Sequence, residues 1–135
     1  MVGFACHTVG CQKYPQGLPI VVPSDKGDFL VAVGDMEHAS LLDAFQPSRS
    51  RNLPLVFPLP VPLKGMLMPD TLRSDHAPFW YQGVGAVLLT DTANLRTPHY
   101  HQSSDTPATL DESFFTGSAQ IVVDAMTKLL ESNEQ

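Results

Sequence analysis

The sequence predicts a layered α/β fold, and three observations carry that prediction. The run Phe29–Val33 (Phe-Leu-Val-Ala-Val) is apolar throughout and stops at Gly34, as a short buried strand does. Val84–Leu89 (Val-Gly-Ala-Val-Leu-Leu) shows no polar alternation. A strand of that kind has both faces covered, as in the centre of an α/β sheet. Glu112–Glu131 carries Phe115, Ala119, Val122, Met126 and Leu129 at spacings of four and three, the stripe of an amphipathic helix whose apolar side packs on a core.

Between these lie weaker signals. His38–Phe45 places Ala39, Leu41, Leu42 and Phe45 as a short amphipathic helix would, and Pro47 ends it, because the residue before a proline disfavours helical geometry. Prolines cluster in Pro15–Pro23 and Pro54–Pro69, which read as extended, turn-rich connections. Thr109-Leu110-Asp111-Glu112 has the spacing of a capping box at the start of the last helix. Strand, helix, strand and helix in that order give the layered arrangement. In such folds chemistry sits beyond the carboxyl ends of strands. The predicted central strand runs out at Thr90-Asp91-Thr92, and His99, Tyr100 and His101 follow within ten residues.

Composition narrows the classes of function. The chain of 135 residues suits one domain, with 43% apolar and 16% charged residues, a globular balance. A net charge of -6 argues against a nucleic-acid or anionic-membrane surface. The one basic cluster, Arg49 with Arg51, reads as a solvated loop. No apolar run of about 18 residues exists, so no membrane span is expected in this segment. Cys6 and Cys11 bracket four residues, and a disulfide and two free thiols are both open. Together with His7 they fall short of the four ligands of a closed zinc site.

Residue types alone leave the chemistry open. His99-Tyr100-His101 is a weak metal signal. Ser103, Ser104, His101 and Asp105 are too close in sequence to converge as a triad, and no Gly-x-Ser-x-Gly elbow occurs. Gly83-Val84-Gly85 precedes a strand and so is no dinucleotide fingerprint.

Three segments taken together say more. Arg73-Ser74-Asp75-His76-Ala77-Pro78-Phe79-Trp80, then Leu88-Leu89-Thr90-Asp91-Thr92, then Tyr100-His101 with Asp105-Thr106-Pro107 and Thr109-Leu110-Asp111 stand in one order and spacing. They resemble the zinc-dependent aminopeptidase family that includes bacterial leucyl-type aminopeptidases and, more distantly, glutaminyl cyclases. The resemblance is clear over residues 73–130 and continues, more weakly, back to Met1. It implies part of a three-layer α/β/α zinc-peptidase fold with a mixed sheet. It also implies an exopeptidase that removes amino-terminal residues from peptide substrates with two zinc ions.

By that resemblance His101 is a zinc ligand, Tyr100 steadies the oxyanion of the tetrahedral intermediate, and Arg73 lies on the substrate side. Asp75 and His76 fit the wall beside the metals, either orienting a ligand or holding the loop through an Asp–His hydrogen bond. His99 has no consistent counterpart and is expected at the surface. In many members an acidic ligand directly precedes Met-Ile-Gly or Met-Val-Gly. Here Met1-Val2-Gly3 opens the chain, and no His-x-Asp or Glu-Glu ligand segment is found.

Residues 1–135 are therefore expected to be the carboxy-terminal portion of one catalytic domain, without its amino-terminal half. Such a portion is expected to be inactive alone and to self-associate. A secreted or periplasmic parent fits the family. Two other readings stay open: a non-catalytic remnant or interaction module on the same scaffold, and a relative performing glutaminyl cyclisation.

Overall fold

The computed structural model describes residues 1–15, 24–46 and 52–132. The fold is mixed α/β, built on a three-stranded mixed sheet. Strand β1 (Phe29–Asp35) lies in the middle. On one side it pairs in parallel with β2 (Leu55–Val61), from Phe29↔Leu55 to Asp35↔Val61. On the other it pairs antiparallel with β3 (Val87–Thr90), from Val31↔Thr90 to Gly34↔Val87. Among the described residues two α-helices accompany the sheet, the single turn α1 (Ala77–Tyr81) and the long α2 (Glu112–Ser132).

Several expectations are corrected. The strand predicted at Val84–Leu89 begins only at Val87, is half-buried at every position, and lies at the edge of the described sheet; β1 takes the centre. Its first residues are held by α1 instead. The Val84 N–H donates to the Phe79 carbonyl at 2.9 Å, and the Trp80 indole N–H donates to the Ala86 carbonyl at 2.9 Å. Those backbone groups are spent before a ladder can start.

β2 lies inside the stretch read as a connection. Its Pro58 and Pro60 hid it, since proline cannot donate to a ladder. Both have the same parity in the strand, so their nitrogens face away from β1 on the edge. The helix expected at His38–Phe45 is a 3₁₀ run over Met36–Phe45, broken at His38 (φ −125°, ψ 33°). Pro47, the Arg49–Arg51 cluster and most of Pro15–Pro23 lie outside the described residues.

Burial divides the two sheet faces. Leu30, Ala32 and Val56 pack with Leu42 of the 3₁₀ run and with Phe114 and Ile121 of α2. On the opposite face Val33 and Val61 meet Trp80, which is fully buried, with Met68, Leu72 and Leu88 around it. Lys128 of α2 reaches the end of the 3₁₀ run, donating to the carbonyls of Ala44 at 3.2 Å and Gln46 at 2.9 Å. A cation on the last carbonyls of a helical segment is favourable.

The predicted stripe of α2 is also corrected. The buried residues are Phe114, Gly117, Ser118, Ile121 and Ala125, one position out of phase with the expected set. Phe115 is 44% exposed and Met126 53%, Val122 is exposed too, and only Leu129 of the predicted stripe is half-buried. Close approach decides the phase. A Cβ on Gly117 would sit 2.5 Å from Pro54 Cδ, so the helix meets the β2 entry at that glycine. The cap is Asp111 rather than the expected box: its Oδ1 accepts the Phe114 N–H at 2.9 Å.

Candidate functional site at the mouth of the sheet cavity

The sheet face that carries Val31, Val33, Phe57, Leu59 and Leu88 floors a cavity of about 670 Å³. Arg73, Tyr100, Thr92 and Asn94 stand on its wall. β1 and β3 are antiparallel, so the carboxyl end of β3 lies at the amino end of β1. The loop after Thr90 therefore projects at that end of the sheet and carries Tyr100 to the cavity wall, with His101 against the Tyr100 ring.

Three of the sequence-predicted residues come together there. The Arg73 guanidinium lies 5.7 Å from the centre of the Tyr100 ring, a cation–π distance. It is held by the Asn94 side-chain oxygen at 3.0 Å and by Asp70 at 3.6 Å. The Tyr100 and His101 rings are 4.1 Å apart with a 30° tilt. His101 is exposed and left-handed, with φ 56°. Left-handed backbone is uncommon outside glycine and tends to collect at functional sites.

The other two separate from them. Asp75 is exposed. His76 is buried, edge-on to Trp80 at 4.5 Å, and its Nε2 is 2.6 Å from the Thr71 carbonyl. The hydrogen bond that ties this loop thus runs to Thr71, not to Asp75. Nδ1 of His76 is buried and has no partner among the described residues. Burial lowers the His76 pKa below its ordinary value, against the opposing pull of the Thr71 carbonyl and Asp75. His99 is half-buried, 3.0 Å from Ser104 Oγ and edge-on to Phe4.

Two polar groupings escaped the sequence reading. One is built on Asp91 and Arg96, both buried. Asp91 Oδ2 accepts the N–H groups of Gly3 at 3.1 Å and Phe4 at 3.0 Å, and Oδ1 that of Ala93 at 3.1 Å. Arg96 donates to Gln12 Oε1 and to the Phe29 carbonyl, each at 2.8 Å, and its guanidinium stacks over Phe29 at 4.8 Å. Burial pulls the Arg96 pKa down to about 10, with Asp91, Asp28 and Tyr14 opposing. Nothing local in the sequence signals partners some 80 positions apart. Cys6 and Cys11, left open by the sequence, are joined in a disulfide.

The second grouping is Asp35, Glu37 and His38, whose ligand atoms lie within 4.8 Å of one another and could hold a metal ion. The buried Asp35 carboxylate meets His38 Nδ1 at 2.9 and 3.1 Å, and Glu37 pairs with Lys64 at 3.4 Å. Asp-x-Glu-His directly after an apolar run is a local pattern that could have been read. It lies at the far end of β1, across the sheet from the Tyr100 loop. Among the described residues His101 belongs to no such group of three donors. The donors around His101 in this chain therefore do not by themselves fit a zinc pair, which needs several donors per ion.

The sequence matches the profile of Peptidase family M28 over residues 26–126. The chain belongs to peptidase family M28. The family is a metallopeptidase family and typically zinc-dependent. The chain is also 28% identical over 133 residues to the uncharacterized protein YfbL of Escherichia coli (strain K12). That alignment takes in 98% of this chain and 39% of YfbL, so the chain spans well under half the length of that relative. No solved structure is a significant match to it. Among the described residues, no helix is long and apolar enough to cross a membrane.

Proposed function

We propose that residues 1–135 form the carboxy-terminal part of a dinuclear zinc aminopeptidase, a three-layer α/β/α molecule when complete, and that this part alone does not hydrolyse peptides. The observation that supports the reading is the cavity wall, where Arg73 and Tyr100 stand with His101 against the Tyr100 ring in a chain of family M28. In this reading His101 is a zinc ligand, and the remaining donors and the proton-moving carboxylate come from outside residues 1–135. Zinc supplies a Lewis acid and an activated water when bound. Tyr100 donates its hydroxyl to the oxygen that gains charge as the scissile carbonyl becomes tetrahedral. Arg73, packed on the Tyr100 ring, restrains that ring and faces the substrate side of the cavity. Asp75 is exposed and takes no part in this cluster, while His76 holds its loop through the Thr71 carbonyl. The Cys6–Cys11 disulfide suits a secreted or periplasmic protein.

Hydrolysis of leucine p-nitroanilide tests the proposal. The complete protein should cleave it and lose the activity to a chelator, while the pure 135-residue chain with added zinc should show none. Chelator-sensitive turnover by the short chain would overturn the partial-site reading. A zinc-loaded complete protein that cleaves no amino-terminal residue would overturn the aminopeptidase reading.

A further inference from the structure

The loop that brings Tyr100 to the cavity wall opens on two left-handed residues that are not glycine, Thr92 (φ 71°, ψ 5°) and Ala93 (φ 47°). A β-branched residue there is a genuine outlier, and such conformations persist only where the surroundings over-determine them. Part of the support is local. Thr90 Oγ1 accepts the Thr92 N–H at 3.0 Å, and Asp91 Oδ1 accepts the Ala93 N–H at 3.1 Å. These bonds shape the turn, and Asp91 also anchors its start to the Gly3 and Phe4 N–H groups, but none of them holds the Thr92 side chain.

Gln12 does. Its side chain is buried, Nε2 donates to Thr92 Oγ1 at 2.9 Å, and Oε1 accepts Arg96 Nε at 2.8 Å. Next to it the Lys13 N–H donates to the Leu95 carbonyl at 2.8 Å. One residue of the amino-terminal segment thus grips both ends of the loop's first turn. The segment itself is braced. Cys11 is bonded to Cys6, Cys6 and Gly27 exchange backbone hydrogen bonds at 2.8 Å, and the Gln12 N–H meets the Asp25 carbonyl at 3.2 Å.

We propose that Gln12 is a positioning residue for the Thr92–His101 loop, holding Thr92 in its left-handed state so that Tyr100 is presented at the cavity mouth. The catalytic part of this statement rests on the function proposed above; the hold on the loop does not. The rival is a glutamine that only stabilises the fold through Arg96.

Gln12→Met, alone and combined with Thr92→Asn, separates the two: it removes the side-chain bonds to both Thr92 and Arg96, and Thr92→Asn relieves only the first of these losses. In the complete zinc-loaded protein, amide hydrogen exchange over residues 93–101 should rise about tenfold, while the sheet and α2 stay as in the parent. kcat should fall about tenfold with KM and zinc content nearly unchanged, the pattern of a group felt at the transition state. Adding Thr92→Asn should restore most of both, since asparagine tolerates left-handed backbone far better than threonine. Unchanged exchange in the loop would overturn the proposal. So would a rise throughout the molecule that Thr92→Asn does not reverse, or a local rise with kcat intact. A wild-type protein without peptidase activity would defeat the aminopeptidase reading, and the exchange result alone would then decide the role of Gln12.

Discussion

At the scale of single residues, His76 shows how burial fixes a consequence that can be measured. Its ring is enclosed against Trp80 with Nε2 on the Thr71 carbonyl, and burial holds its pKa below the ordinary 6.5. The unfolded chain therefore binds a proton at His76 more readily than the native one. Stability from this group is complete above pH 6.5 and is lost as pH falls from there through the lowered native value. Replacing His76 by glutamine, which can still donate to Thr71, should flatten the fall of Tm on acidification below pH 6.5. An equally steep fall in the variant would show that the ring is not the acid-sensitive group. Arg73, Tyr100 and His101 stood out in the sequence because they sit in segments of fixed order and spacing. The pairing of His76 with Thr71 instead of Asp75 was not legible, since it depends on how a five-residue span turns back on itself.

At the scale of elements, helix α2 tests packing against pattern. Its buried face is Phe114, Gly117, Ser118, Ile121 and Ala125, while Phe115, Val122 and Met126 face outward. Ile121→Ala should cost about 2–5 kcal/mol in urea unfolding, as a filled core position does. Val122→Ala should cost about 0.5 kcal/mol or less, as an exposed one does. The reverse ranking would restore the face that hydrophobicity alone selects. That selection missed because it follows large side chains, whereas the contact with Pro54 needs the missing side chain of Gly117. β2 was missed for a related reason. Pro58 and Pro60 read as loop residues until an edge position makes their missing N–H groups harmless. β1 and the extent of α2 were legible from their apolar content, because each is long enough for its pattern to exceed local exceptions.

At the scale of the whole molecule, two surfaces stand open together. The outward stripe of α2 carries Phe115, Val122, Val123, Met126 and Leu130 at 38–64% exposure, and the far face of the sheet floors the cavity. Contiguous apolar surface of this kind marks contact sites or a tendency to associate. The isolated 135-residue chain should therefore sediment as oligomers, and Met126→Glu should shift it toward monomer. A monodisperse monomer with a cooperative melt would show that residues 1–135 need no further covering. The sequence drew attention to the loop after a strand, and that loop lines the cavity through Thr92, Asn94 and Tyr100. It could not supply the tie from Gln12 to Thr92 and Arg96, which links segments about 80 residues apart.

The central claim is that Tyr100 acts on the oxyanion of a peptide-cleaving centre, and Tyr100→Phe in the complete protein tests it most directly. The change keeps the ring that packs on Arg73 and His101 while removing the hydroxyl. Loss of one oxyanion donor lowers rate by about 10²–10³. The lower end is expected here, because zinc shares the same charge. kcat for leucine p-nitroanilide should thus fall toward about a hundredfold, with KM, zinc content and Tm close to the parent's. An unchanged kcat in a fully zinc-loaded Tyr100→Phe protein would contradict the account.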